Sequence, residues 1–292
     1  METILSRLNS EILISDGAMG TELQKQTLPN GFCAEELNDS HPEIIRSIYK
    51  SYYDAGSDII TTNSFGGSRI ALHRHGLENR VSELNGMAVQ LAREICPPGH
   101  FVAGSIGPTG DILEPLGTLT LDEAGKAFEE QALALADAGA DIIFIETMMS
   151  LEELECAVKA VKKSTRLPVS ASMTFNAGPA GIHTQWGVNI AGFVKSAQEA
   201  GADIIASNCG KGFDEMIQVV KEMRPLTSLP IMAQANAGLP ELIDGKQVYT
   251  ETAENIIPKV KQLLDLGVNI IGGCCGTGPS HIAAIHKLLR GK

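Results

Sequence analysis

AGSDIITTN (55–63), AGADIIFIET (138–147), AGADIIASN (200–208) and LGVNIIGGCC (266–275) are four versions of one local pattern. Each carries a glycine after an amphipathic stretch, where helices commonly end on a left-handed residue. Each then runs into a β-branched apolar segment too short for a helix. The pattern reads as a helix end, a tight turn and a buried parallel strand. Four segments of the same kind lie between the copies: EILISDG (11–17), FVAGSIG (101–107), PVSASMT (168–174) and PIMAQAN (230–236). Helical patterns fill the gaps. Ile44, Ile48, Tyr52 and Ala55 share a stripe behind Pro42, a residue suited to a helix start. Thr120 with Glu123, and Ser150 with Glu153, have capping-box spacing. A further helix is expected from about Thr250 to Leu266, interrupted at Pro258, and the last from Pro279. Eight strands alternating with helices, at about 60 residues per two units, predict a single-domain α/β fold, a (β/α)8 TIM barrel over residues 1–292. An open doubly wound sheet would carry GxGxxG after its first strand, which DGAMGTE (16–22) does not match.

The composition suits that fold. The chain has 292 residues, 43% hydrophobic and 20% charged, an ordinary globular balance. A formal net charge of −12 argues against nucleic acid as a partner. No apolar run reaches the ~18 residues of a membrane helix. The opening METILSRLNSEILISDG lacks the basic and apolar regions of a secretory leader, so a cytoplasmic location and no membrane association are expected. The oligomeric state stays open.

The C-terminal ends of barrel strands form the active-site face of such folds. Here they bring Asp16-Gly17, Thr61-Thr62-Asn63, Gly104–Gly107, Glu146-Thr147, Ser172–Thr174, Asn208-Cys209, Asn236–Gly238 and Cys274-Cys275 to one rim. Of six cysteines, Cys33, Cys96 and Cys156 are scattered and read as small packed side chains. Cys209, Cys274 and Cys275 stand at the ends of strands six and eight. Three protein ligands with a fourth position open is the layout of catalytic zinc, and an all-thiolate set suits zinc better than hard-oxygen metals. Adjacent side chains on a strand point to opposite faces, so Cys274 and Cys275 can share an ion only where the backbone leaves strand geometry. Gly272, Gly273 and Gly276 are expected to allow that. Unrelated buried cysteines and a vicinal disulfide are the alternatives. A thiol entering the open position would be held as the reactive thiolate.

DGAMGTE (16–22), TTNSFGGSR (61–69), GSIGPTG (104–110), IETM (145–148), SNCG (207–210), QANAGLP (234–240) and GGCCGTGPSHI (272–282) together resemble the homocysteine S-methyltransferase family over nearly the whole chain. The likeness is closest to the homocysteine-binding module of corrinoid-dependent methionine synthase. It implies the barrel independently. It also implies one Zn2+ on the catalytic cysteines Cys209, Cys274 and Cys275, with the sulfur of homocysteine as fourth ligand and methionine as product. Asp16 and Glu146 then correspond to the acids that bind the substrate ammonium, a charge-assisted contact. Glu146 interrupts an otherwise apolar strand, which favours this over helix capping. Backbone N–H groups of the turn from Gly17 to Gly20 could hold the substrate carboxylate. Asn208 and Asn236 are placed to donate to thiolates. Thr62 and Asn63 could touch a substrate or serve rim hydrogen bonds.

The family's donors are a methylated corrinoid protein, S-methylmethionine or a betaine. TTNSFGGSR looks most like the corrinoid branch, and the barrel uses the whole chain, so a corrinoid would arrive on a separate protein docking at the barrel mouth. Trp186 and His183 lie on the same side and either line a donor pocket or pack their loop, the commoner role for an amphipathic Trp. Two rivals remain: the same zinc chemistry on another thiol, and a non-catalytic zinc scaffold closed by a fourth ligand such as His281.

Overall fold

In a computed structural model that describes residues 3–28, 31–179, 181–243 and 246–291, eight parallel strands form one sheet. They are β1 (Leu13–Ile14), β2 (Ile59–Thr61), β3 (Phe101–Ile106), β4 (Ile142–Met148), β5 (Val169–Met173), β6 (Ile204–Cys209), β7 (Ile231–Ala235) and β8 (Ile270–Gly273). Each pairs with its sequence neighbour, β8 pairs with β1, and a bridge from Ser15 to Ile59 closes the ring. The helices that follow the strands are α1 (Pro42–Asp54), α2 (Val81–Arg93), α3 (Leu121–Asp137), α4 (Leu151–Ser164), α5 (Ile190–Ala200), α6 (Phe213–Met223), α7 (Ala253–Asp265) and α8 (Pro279–Arg290). The expected (β/α)8 barrel is therefore present.

The repeated motif has a physical reason at two positions. Its glycines Gly56, Gly139, Gly201 and Gly267 all take positive φ, between 84° and 101°, where a side chain would be strained. Two residues on, Asp58, Asp141, Asp203 and Asn269 each accept a backbone N–H from the preceding strand. The donors are Ile14 at 2.9 Å, Val102 at 2.8 Å, Val169 at 2.8 Å and Ile231 at 3.0 Å. The backbone N–H of each of the four returns a bond to the carbonyl of the same donor residue. The fold thus clasps β1 to β2, β3 to β4, β5 to β6 and β7 to β8.

Strand alternation sorts the core. Ile14, Ile60, Val102, Ile143, Ile205 and Ile271 face the helices. Leu13, Ile59, Phe101, Ala103, Ile142, Phe144, Ile204, Ala206, Met232 and Ile270 fill the barrel, with Ile4 and Leu8 closing its floor. Continuing each inward series by two residues gives Ser15, Thr61, Ser105, Glu146, Asn208, Gln234 and Gly272. Apolar layers at the floor thus meet a polar layer at the mouth.

The helix starts follow sequence chemistry with one difference. Thr120 and Glu123 form a full capping box. Ser150 caps α4, but Glu153 turns away to accept the N–H and hydroxyl of Thr109 at 2.8 and 2.7 Å. Only half of that expected box forms, because the buried Thr109 groups need an acceptor.

The clasps predict a stability hierarchy. Asp203→Ala orphans one backbone N–H and is expected to cost about 1–3 kcal/mol. Asp58 is more buried and also meets Arg7 and Arg290, at 3.4 and 3.3 Å. Asp203 meets the more exposed Lys162 at 3.0 Å, so Asp58→Ala should lower the urea unfolding midpoint further, toward the upper end of the same range of about 1–3 kcal/mol. Equal, negligible shifts for both variants would contradict the clasps.

Candidate functional site

Cys209, Cys274 and Cys275 converge although strand geometry opposes it. Cys209 ends β6 with φ 65°, a left-handed conformation that costs a non-glycine residue roughly 1–2 kcal/mol. β8 ends at Gly273, and Cys274 opens a turn closed by the Thr277 N–H on the Cys274 carbonyl at 3.0 Å, with Gly276 at φ 80°. The backbone does leave strand geometry, as the adjacent cysteines require. Gly272 and Gly273 contribute through smallness instead: a Cβ on Gly272 would stand 1.9 Å from Ser15 Oγ. The three sulfurs lie within 4.8 Å of one another and can hold a metal ion. Cys209 and Cys274 Sγ are 2.8 Å apart, and all three cysteines are free thiols. Hydrogen bonds from Cys209 and then Cys274 lower the Cys275 thiol, while Cys209 and Cys274 are raised, so the three thiols share their protons as one group.

Asn208, 1% exposed, braces the cluster. Its Nδ2 lies 3.6 Å from Cys209 Sγ and 3.8 Å from Cys274 Sγ, and donates to Thr147 Oγ1 at 2.7 Å. Its Oδ1 accepts from Ser172 Oγ at 2.6 Å and the Thr147 N–H at 2.8 Å. Asn236 is placed differently: its Nδ2 donates to the Gly210 carbonyl at 2.6 Å, and its Oδ1 is buried without a partner. His281 does not join the sulfurs. Its Nδ1 accepts the Gly278 N–H at 3.2 Å, and its Nε2 lies 2.8 Å from the Glu251 carbonyl.

The sulfurs border a cavity of about 370 Å³ whose walls include Asp16, Gly17, Glu35, Thr61, Glu146 and Gln234. Asp16, 3% exposed, accepts the Thr61 N–H at 2.7 Å and hydroxyl at 2.8 Å. Burial, opposed by these bonds and aided by Glu146, pushes its carboxyl up to about 8. Glu146 follows the same logic. β4 bulges between Ile145 and Met148, with Thr147 at φ 63°, next to the position where strand alternation turns the Glu146 side chain inward. Ser105 Oγ donates to Glu146, yet burial pushes the carboxyl up to about 7. Neither acid has a basic partner among the described residues.

Gly17 lies where a Cβ would stand 2.0 Å from the Thr277 carbonyl, so only glycine fits. Thr62 and Asn63 also border the cavity, but their side chains are committed: Thr62 Oγ1 to Ser64 and the Ser105 N–H, Asn63 Nδ2 to Ala34 and Asn38. Thr61, Ser105 and Gln234 lie inside the quoted motifs, but no role at the site was expected of them. The inward series of each strand marks them, since each stands two residues beyond an apolar interior position. Trp186 is 49% exposed and lines a separate groove of about 580 Å³ with Ile112, Leu116 and Val188; His183 pairs with Asn176 in the hairpin after β5.

Asp16 and Glu146 titrate higher in the folded chain than their ordinary values of 3.8 and 4.5. Groups raised in this way stabilise the fold while protonated, and that contribution is lost as pH rises through about 7 and about 8. The urea midpoint of the metal-free chain is expected to fall from about pH 5 to about pH 8, and Glu146→Gln to flatten the part below about pH 7. An equally steep profile in that variant would sink the assignment.

A family model described as homocysteine S-methyltransferase matches residues 13–289. Methionine synthases of Mycobacterium leprae (strain TN) and Mycobacterium tuberculosis (strain ATCC 25618 / H37Rv) are each 30% identical over 97% of this chain. The chain spans only 24% and 25% of their lengths. Among solved structures, the homocysteine methyltransferase MmuM from Escherichia coli in its metallated form superposes with a TM-score of 0.79 at 25% identity, covering 96% of this chain and 97% of that one. Its oxidized form also gives 0.79 at 25% identity, over 95% and 96%. The match along the barrel and through its cysteine-bearing ends shows that the chain belongs to the homocysteine S-methyltransferase family.

Proposed function

We propose that this chain transfers a methyl group to the thiol of homocysteine, giving methionine, with zinc held by Cys209, Cys274 and Cys275. The observation that carries the reading is the meeting, on one small cavity, of three thiols with two carboxylates that lack a basic partner. The donor set fits zinc. It is all sulfur, and the three sulfurs lie within 4.8 Å of one another, close enough to share one ion that binds thiolates at about 2.3 Å. When bound, the ion would supply acidity that keeps an incoming thiol as a thiolate at neutral pH.

The chain's own groups do the rest. Asp16 and Glu146 accept the substrate ammonium, and that cation offsets the burial that raises both acids. The turn from Gly17 to Gly20 faces the substrate carboxylate. The Ala18 N–H is already donated to Thr277, which leaves the first-turn N–H groups of the short helix Met19–Gln24. Asn208 Nδ2 stabilises thiolate charge on Cys209 and Cys274. Asn236 acts through the turn at Gly210, while Thr62 and Asn63 shape the wall.

The donor in this reading is a methylcorrinoid carried by a separate protein. Two observations support it. The curated relatives that match over nearly the whole chain are methionine synthases. Phe65, Ile112, Leu116, Trp186, Leu239 and Leu242, six of the ten exposed large apolar residues among those described, also lie in segments that follow barrel strands, on the face that carries the cysteines.

Methyl transfer to homocysteine should be measured in parallel from a methylcorrinoid protein, S-methylmethionine and a betaine, the first being expected to serve. Cys275→Ser should lower turnover about a hundredfold or more. Glu146→Gln should raise KM for homocysteine by roughly 10- to 100-fold, the worth of one charged hydrogen bond. 4-Mercaptobutyrate, which lacks the ammonium, should be a poor acceptor; rates equal to those with homocysteine would remove the amino-acid substrate.

A further inference from the structure

We propose that Glu215 is a positioning residue of the metal centre: its buried carboxylate fixes the turn that delivers Cys209 to the other two thiols. The inference rests on reading the three cysteines as one centre.

The segment after β6 is unusual. Cys209, Gly210 and Gly212 all have positive φ, at 65°, 75° and 129°. Two are glycines, which take such angles freely; Cys209 is not, and its conformation persists only if its surroundings impose it. Asn208 holds the turn from the strand side, and Asn236 Nδ2 grips the Gly210 carbonyl at 2.6 Å. The third restraint comes from α6. Glu215, 7% exposed, accepts the Lys211 N–H through Oε2 at 2.7 Å and the Ala177 N–H through Oε1 at 2.6 Å. Lys211 Nζ in turn donates to the Ala177 carbonyl at 2.9 Å and stands 3.6 Å from Glu215 Oε1. One carboxylate therefore lashes residues 209–212 to the hairpin that follows β5.

The approach is close: a Cβ on Gly210 would lie 2.8 Å from Glu215 Oε2. Glu215 is not among the residues that wall the cavity, so it acts through the backbone that carries Cys209. Glu153 supplies an internal control. It occupies the same third position of its helix, is 8% exposed, and accepts two bonds from Thr109. It touches neither the cysteines nor their turns.

Two measurements on the full chain test the proposal, with Glu215→Gln, Glu215→Asp and Glu153→Gln beside the parent. The first uses metal-free protein and diamide. Each disulfide formed moves two protons and two electrons from a pair of thiols to one diamide, reducing it to the hydrazide. Peptide mapping then gives the rate of Cys209–Cys274 bonding, which reports how closely the sulfurs are held. The second is zinc affinity by competition with a chelator, together with the thiolate-to-cobalt charge-transfer band of Co2+-substituted protein. Glu215→Gln should slow the disulfide roughly tenfold and weaken zinc by about 10- to 100-fold, with Glu215→Asp between it and the parent. Glu153→Gln should lower thermal stability while leaving both readings at parent values. The proposal is overturned if Glu215→Gln matches the parent in both, or if Glu153→Gln impairs both as strongly. Failure of the parent to bind zinc, with the diamide order as expected, would refute the metal centre and leave Glu215 as the residue that positions Cys209.

Discussion

A side-chain oxygen at the foot of each even-numbered strand, taking an N–H from the strand before it, is the contact on which this barrel depends. Asp58, Asp141, Asp203 and Asn269 make it in turn. Each contact locks two strands in register, and register decides which residues point inward. A slip of one residue would put Ile60, Val102, Ile143, Ile205 and Ile271 into the barrel and turn Thr61, Ser105 and Asn208 toward the helices. The polar layer at the mouth is therefore a consequence of contacts at the opposite end of the strands.

Regular strands nonetheless place only part of the site. Cys209 depends on a local departure, its left-handed backbone, and Glu146 is followed at once by another, a bulge with Thr147 at φ 63°. The two departures are linked, since Asn208 bonds both the backbone and the hydroxyl of Thr147 while reaching toward the sulfurs. Strain at one residue is held in place by a neighbour on another strand, so the thiols and the carboxylate are positioned together.

What could be read from the sequence divides along physical lines. The barrel was legible because its signal is local and repeated: a left-handed glycine, a clasp residue and a short β-branched run. The three cysteines were legible because strand ends converge in such a fold. Thr62 and Asn63 drew notice through their place in a motif, yet their side chains hold the wall together, while Thr61, one residue earlier, bonds Asp16. Counting two residues up from Ile59 would have found it. Glu215 and the bulge at Thr147 left no such trace. Each is defined by what a distant segment brings alongside, Ala177 in one case and Asn208 in the other.

In the proposed reaction the cavity wall also sets which thiols can enter. It includes three acidic side chains, Asp16, Glu35 and Glu146, beside the sulfurs, and no lysine, arginine or histidine among the described residues. Such a chamber acts as an electrostatic filter. A small zwitterion can present its positive end to the acids and draw them into their charged form, whereas a bulky polyanionic thiol such as coenzyme A gains no such contact. Against anionic thiols, discrimination in the proposed reaction would then begin at entry, before any sulfur reaches the cysteines.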